Sequence, residues 1–229
     1  MRSFQIIGLL LVIGAAVTVR LSGLSEQAVS GSSGPSSAAL PAPLPKDVDP
    51  DSLNRFPRVN REELDERGKQ LYDSSGLGPT AIRLYSPPLA DYMNRSGEYL
   101  RSQSGLDRRL AELAILVVAR AMDNRYIWSS HEPAGLRAGL EQQTIDIVKY
   151  RKPLSGVGEK EAVIIELGRA VLREHKVRPD TFARALKLFG KQGLVNIVSV
   201  MGDYASNCLL LNTFDQQVPP GRTALLPIP

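Results

Sequence analysis

Hydrophobic positions recur at helical spacing along most of the chain from residue 60 onward, and no stretch alternates as a half-buried strand would. Gly, Pro, Ser and Asn residues separate these segments and mark their ends. We therefore predict an all-α fold, a single helical bundle, with a short ambiguous stretch at residues 82–86. The predicted helices span residues 60–74, 87–102, 107–122, 125–138, 141–150, 160–174, 180–189 and 193–213.

The most apolar part of this pattern lies in the middle of the chain. Residues 110–119 are apolar on nearly every helical face, and Glu112 alone interrupts them. The next predicted helix contains Pro133, which should bend it, and carries Trp128 and His131 three residues apart, near one face. A carboxylate on a helix predicted to be buried, followed by a histidine on the next helix, is the arrangement here that suggests chemistry.

Each of these residues also has a purely structural interpretation. Glu112 could pair with Arg108 or Arg109 at helical spacing, and His131 could be a hydrogen-bonded structural histidine. Trp128 could belong to the core or to a subunit interface as well as to the wall of a substrate pocket. The sequence leaves these alternatives open.

Three further residues complete the candidate set. Arg83 could bind a substrate carboxylate with its forked guanidinium, or lie on the surface. Tyr126 and Tyr204 could offer hydroxyl groups to a substrate, although Tyr204 fits the core equally well. His175 lies at the end of a predicted helix, where a cation is favourable, and is expected to be structural.

An apolar run at residues 6–19 follows the basic residue Arg2. It is shorter than the roughly 18 residues that usually span a bilayer, and it resembles the core of a secretory signal. We expect residues 1–20 to be a signal peptide or signal anchor, residues 21–55 a disordered Ser/Gly/Pro/Ala-rich linker, and residues 56–229 the folded domain. The protein is then exported, periplasmic or secreted, and touches a membrane only if the first segment stays uncleaved.

Composition narrows the function further. The 28 basic and 24 acidic residues give a net charge of +4, but they are scattered, so nucleic acid is not expected as a partner. One cysteine excludes an internal disulfide, and with two histidines it makes a His/Cys metal site improbable. Cys208 lies in an apolar helix and is expected to be an inert buried thiol.

Several short motifs resemble the carboxymuconolactone decarboxylase family. They are Arg-x-x-Glu-Leu-x-Ile-Leu at residues 109–116, Tyr-x-Trp-x-x-His at 126–131, Ala-Gly-Leu at 138–140, Phe-Gly at 189–190, Gly-x-Tyr at 202–204 and Leu-Asn-x-Phe at 211–214. The resemblance implies a cofactor-free, metal-free helical bundle of the alkylhydroperoxidase-D-like type, assembled into trimers or larger rings. It also implies that Glu112 and His131 are catalytic, acting on a small acidic molecule.

The redox branch of the same superfamily uses a Cys-x-x-Cys pair upstream of the shared histidine, where this chain has Asn124 and Ile127. Three hypotheses therefore follow. The first is an exported lyase acting on a carboxylated lactone or related oxo acid. The second is a peroxidase-like antioxidant protein that depends on Cys208, and the third is a non-catalytic ligand-binding oligomer.

Overall fold

A computed structural model describes residues 43–228 of the chain. The expected signal segment and most of the expected linker lie outside the described residues. Eight α-helices account for most of this part: α1 Glu66–Ser74, α2 Pro79–Arg83, α3 Pro87–Glu98, α4 Arg108–Ala121, α5 Arg125–Arg137, α6 Gln142–Lys149, α7 Glu159–Arg169 and α8 Pro179–Thr213.

The described residues contain no β-strand, only an isolated bridge between Asp49 and Asn54, so the predicted all-α class is confirmed. Helix α3 continues as a π-helical turn over Tyr99–Gln103, and α7 continues in the same way over Ala170–Glu174. These turns carry the two helices to the ends that the hydrophobic pattern predicted. His175 closes the second turn in the left-handed conformation, at the predicted helix end.

Helix α4 forms the centre of the bundle. All its residues from Leu110 to Arg120 are buried, and it packs against α5, α6, α7 and α8. Asp107 begins the helix by accepting hydrogen bonds from the backbone amides of Arg109 and Leu110. A helix that is apolar all round is stable only when it is enclosed, which explains its central place.

Helix α5 runs antiparallel beside α4 after a tight turn. The Asn124 side chain accepts from the backbone amide of Ile127, and its own amide donates to Asn212 Oδ1 at 2.7 Å. Asn124 therefore caps the helix that carries His131 and ties it to α8. Pro133 lies inside α5, whose assigned span is continuous through it.

Helix α8 contains the break that Gly190 predicted. Gly190 has φ 65° and ψ 177°, outside helical geometry, so two helical segments meet there. By length and composition α8 is the described helix that could cross a membrane, and half of its most apolar window is buried inside the protein. Packing against α4 and α7 accounts for that burial.

One prediction about the first part of the domain is wrong. The helix predicted at residues 60–74 is a 3₁₀ turn, Arg61–Glu63, followed by α1, because the Asp65 side chain accepts from the Gly68 amide and starts a new helix. The ambiguous stretch at residues 82–86 overlaps the short helix α2.

The expected linker end at residue 55 lies too far along the chain. Val48 and Leu53 are buried, and Asn54 donates to Gln216 Oε1 at 3.1 Å. The Gln216 amide in turn donates to the Leu53 carbonyl at 3.0 Å. Residues 48–54 thus pack against the segment after α8, a pairing across the whole domain that local composition does not reveal.

Candidate active site

Glu112 lies in the middle of α4 and is fully buried. Its Oε2 atom lies 2.7 Å from Nδ1 of His131, whose side chain on α5 is 16% exposed. The contacts between α4 and α5 bring together two residues that are 19 positions apart. With Glu112 ionised, Nδ1 carries the proton and donates it to the carboxylate, leaving Nε2 as the nitrogen open to a reactant.

The second oxygen of Glu112 faces a cation. Nη2 of Arg108 lies 2.7 Å from Oε1, although the two groups are not aligned for a hydrogen bond. Burial of a charged carboxylate is costly unless cations or donors surround it. Glu112 therefore has both expected contacts, the ion pair and the histidine, whereas Arg109 pairs with Glu161.

His131 forms part of the wall of a cavity of about 300 Å³. Tyr204 packs edge-on against the imidazole, with ring centroids 4.9 Å apart. This volume lies at the lower end of the range of pockets for small molecules. A wider depression of about 540 Å³ near Lys160 and Asn196 contains neither His131 nor Glu112.

The cavity is rich in positive charge. Arg83, Arg101 and Arg222 line it, and Asp203 is the carboxylate among its lining residues. Arg83 is only 8% exposed, and its Nη2 donates to Ser206 Oγ at 3.3 Å. Arg222 donates to Ser130 Oγ at 2.8 Å, with its guanidinium 5.4 Å from the centre of the Tyr126 ring. Such a wall favours an anionic ligand.

Burial changes the titration of several of these groups. It lowers the pKa of the Arg83 guanidinium, an effect that the nearby Asp203 opposes. It raises the pKa of the Asp203 carboxyl, which Arg101 and Arg83 counteract. It also raises the pKa of Tyr204 to about 12, so the Tyr204 hydroxyl keeps its proton at neutral pH.

Of the four residues expected to bind substrate, Arg83, Tyr126 and Tyr204 line the cavity. The Tyr126 hydroxyl is occupied, because it donates to the Leu77 carbonyl at 2.7 Å. Burial raises the pKa of Tyr126. The structure therefore places these three side chains around His131.

Trp128, the fourth, is not among the cavity residues. It is fully buried, and its indole Nε1 donates to Glu132 Oε2 at 2.5 Å. Glu132 also pairs with Lys149 of α6 at 3.0 Å. A spacing of three residues turns a helix by about 300°, so Trp128 and His131 share a face only approximately. Here that offset directs Trp128 into the core on the side of α6.

The cavity has four further polar lining residues that were not predicted from the sequence: Arg101, Asp203, Asn207 and Arg222. Asn207 is 7% exposed, and its buried Oδ1 atom has no hydrogen-bond partner in the described part of the chain. Asp203 lies between the two matched residues of the Gly-x-Tyr motif, which was a usable signal. Arg222 lies in the segment after α8, and nothing in its local pattern places it over a cavity. Within residues 43–228 no three His, Cys, Asp or Glu side chains are grouped to hold a metal ion.

Part of the chain matches a known protein family. Residues 87–165 match the Carboxymuconolactone decarboxylase family, a span that includes both Glu112 and His131. No curated protein shows a significant match.

Two solved structures share the fold. One is a protein of unknown function from Agrobacterium tumefaciens, described as a candidate antioxidant defence protein AhpD. It has 20% sequence identity and a TM-score of 0.55 over 60% of this chain and 94% of that one. The other is the alkylhydroperoxidase AhpD core of an uncharacterized peroxidase-related protein from Ralstonia eutropha JMP134. It has 14% identity and a TM-score of 0.61 over 73% of this chain and 93% of that one. Residues 87–165 thus match the model of the carboxymuconolactone decarboxylase family, and the chain has the helical fold of the two AhpD-like structures.

Proposed function

We propose that this protein is a cofactor-free enzyme that moves a proton with His131 on a small anionic substrate, as a carboxy-lyase would. The observation that carries the proposal is the 2.7 Å contact between His131 Nδ1 and Glu112 Oε2 beside a cavity. A buried carboxylate that orients an imidazole is an arrangement suited to acid–base catalysis.

Glu112 is a positioning residue in this scheme. Its carboxylate accepts a hydrogen bond from Nδ1–H, which fixes the ring and directs Nε2 to the reactant. The negative charge of Glu112 also stabilises the imidazolium when the ring is doubly protonated. Arg108 balances the negative charge of Glu112 from the other side. The protonated imidazole of His131 is then the acid that delivers a proton.

The arginines support an acidic substrate. The cavity is lined by three guanidinium groups and one carboxylate, that of Asp203, so positive charge is in excess. The guanidiniums belong to Arg83, Arg101 and Arg222. A guanidinium can hold a carboxylate through two parallel hydrogen bonds, which fixes the orientation as well as the position of the substrate. A carboxylated unsaturated lactone or a related oxo acid fits both the charge and the size of the cavity.

The reaction itself needs only these groups. The carbon–carbon bond to the departing carboxylate breaks, carbon dioxide leaves, and the electron pair spreads into the lactone carbonyl. Nε2–H of the His131 imidazolium protonates the resulting carbanion at carbon, and a proton from solvent restores the imidazolium. The net change is uptake of one proton and release of carbon dioxide.

Replacement of His131 tests the proposal. His131→Asn keeps an amide donor for Glu112 but lacks the proton-carrying Nε2, so release of carbon dioxide from a carboxylated unsaturated lactone should fall roughly 10²- to 10⁴-fold. The matched change His175→Asn, at the exposed end of the α7 extension, should leave the rate unchanged. Full turnover in His131→Asn, or none in the unaltered protein, would contradict the lyase assignment.

A thiol peroxidase is the alternative that the names of the structural neighbours raise. That chemistry requires an accessible thiolate and a partner to resolve its oxidised form. Cys208 is the single cysteine of the chain, it is fully buried, and burial raises its pKa to about 12. These properties favour the proton-transfer function over the redox one.

Location and assembly are part of the proposal. The apolar run at residues 6–19 supports export to the periplasm or beyond, with tethering to a membrane if this segment stays uncleaved. The resemblance to the carboxymuconolactone decarboxylase family supports assembly into a trimer or larger ring.

A further inference from the structure

Four arginines converge where α4, α6 and α7 end, a region separate from the His131 cavity. Arg120 lies in the last turn of α4, Arg151 follows α6, Arg169 ends α7, and Arg173 lies in the π-helical turn after it. Together they line a cleft whose inner void is about 20 Å³, room for one water-sized group. Its remaining lining residues are apolar: Val117, Ala121, Val148 and Ile165.

These guanidiniums outnumber their carboxylate partners. Arg120 and Arg151 share Asp123, with nitrogen–oxygen distances of 2.7 and 3.1 Å. Arg169 donates to the Lys152 carbonyl at 2.9 Å. Arg173 makes no side-chain hydrogen bond or ion pair with any residue between 43 and 228. Glu166 opposes the lowering of the Arg169 pKa but pairs with Arg184 at 2.9 Å.

Arg120 is the most enclosed of the four. It is 6% exposed, Nη1 donates to the Pro227 carbonyl at 2.6 Å, and Nε is buried without a hydrogen-bond partner among residues 43–228. Burial lowers the pKa of Arg120, and Arg151 and Arg173 lower it further against the opposing effect of Asp123. The same causes, burial and then Arg173, lower the pKa of Arg169.

The ends of three helices account for part of this arrangement. Cations are favourable beside helix C-termini, where carbonyl groups lack partners. The negative partial charge at each helix end is well under one elementary charge. The four guanidiniums therefore still repel one another, with Asp123 as the carboxylate that pairs with two of them. An anion that accepts from several of them at once would remove the repulsion.

We propose that this four-arginine cleft binds a phosphate-type oxyanion. The tetrahedral ion presents several acceptor oxygens, and it can span Arg151, Arg169 and Arg173 at the mouth of the cleft. The inner void holds no more than a water-sized group, so the oxyanion lies at the mouth of the cleft. The arginines then contact its phosphate-type group and not the rest of a larger ligand. Free phosphate and the phosphoryl end of a larger molecule share this chemistry.

Titration of the full-length protein with inorganic phosphate tests the site. Calorimetry and thermal unfolding should show saturable binding and a higher Tm relative to sodium chloride of equal ionic strength. Arg173→Gln removes an exposed guanidinium that has no protein partner, so the fold should persist while affinity drops about tenfold. Arg137→Gln, an exposed arginine on α5, makes the same charge change elsewhere and should not alter binding.

The His131 cavity also contains arginines, so a second control separates the two places. Arg222 lies over that cavity, so the variant Arg222→Gln should bind phosphate at the four-arginine cleft with unchanged affinity. Tighter binding of phenyl phosphate than of the free ion would support a phosphoryl ligand, and the reverse would support free phosphate. Equal effects of phosphate and chloride, or a loss of affinity in Arg222→Gln but not in Arg173→Gln, would overturn the proposal.

Discussion

At the scale of single residues, burial separates the groups that can react from those that cannot. His131 lies at a cavity with its side chain 16% exposed, and Glu112 behind it is fully enclosed. Cys208 is enclosed as well, and burial, with no charge of the described residues opposing it, raises the pKa of its thiol. The two residues that define the candidate site and the one that could support redox chemistry therefore occupy different environments.

The Cys208 thiol should react very slowly in the folded protein. With its pKa raised to about 12, only about one thiol in 10⁴ is ionised at pH 8, and burial blocks the reagent. Labelling with an aromatic disulfide at pH 8 should reach completion only after addition of denaturant. Faster labelling of the native protein, or a peroxide-reducing activity lost in Cys208→Ala, would favour the peroxidase alternative.

The residues of the site differ in how far the sequence could identify them. Glu112 stands out because it interrupts an apolar helix, and His131 lies on the next helix, so local pattern was sufficient for both. Arg101 and Arg222 reach the cavity only through packing of distant segments, which local pattern does not encode. The choice between core and pocket wall stayed open for Trp128, because spacing along a helix fixes the direction of a side chain only to within about a sixth of a turn.

At the scale of helices, the close approach of α4 and α7 depends on a residue without a side chain. Gly168 of α7 is buried directly against Val117 of α4, and a Cβ there would overlap the Cγ1 atom of Val117. At Gly202 of α8, no atom of residues 43–228 outside the adjoining helix backbone lies within 4 Å of the place where a Cβ would lie. Two glycines in helices thus have opposite surroundings.

Gly168→Ala should destabilise the protein by about 1–3 kcal/mol, because the helices must separate or Val117 must leave its rotamer. Gly202→Ala should be neutral or stabilising by up to about 1 kcal/mol, since alanine favours helices over glycine. Chemical denaturation of both variants measures the difference. A Gly168→Ala variant as stable as Gly202→Ala would show that the α4–α7 contact is looser than described.

Helix ends show which local signals the sequence contains. Gly190 and the residues around Asp123 and Asn124 broke the pattern clearly, and the breaks lie where the sequence predicted. The start of α1 was missed because both Asn60 and Asp65 are good caps, and the structure uses each for a separate turn. Competition between two adequate signals cannot be settled from spacing alone.

At the scale of the whole molecule, the two ends of the described domain hold each other. Residues 48–54 pack beside the segment after α8 through Gln216, which donates to the carbonyls of Ser52 and Leu53. Arg55 adds a backbone hydrogen bond to the Phe214 carbonyl at 2.9 Å. The sequence did not predict this because residues 43–55 contain three prolines and show no helical spacing of apolar residues.

Removal of residues 1–42 and of residues 1–55 should have different effects. The shorter deletion keeps the buried Val48 and Leu53, so its unfolding midpoint in urea should match that of the full chain. The longer deletion loses those side chains and the Gln216 hydrogen bonds, at a cost of about 2–4 kcal/mol. Identical midpoints for the two deletions would contradict the packing of residues 48–54.

The protonation of His131 tests the central claim most directly. Nitrogen-15 NMR of the full protein, with His131 assigned by comparison with His175→Asn, should show the neutral ring protonated at Nδ1. In Glu112→Gln, where the carboxylate no longer accepts that proton, the ring should shift towards the Nε2–H form. Two results would contradict the proposed pair. One is a neutral His131 protonated at Nε2 in the unaltered protein, and the other is a protonated nitrogen that stays the same in Glu112→Gln.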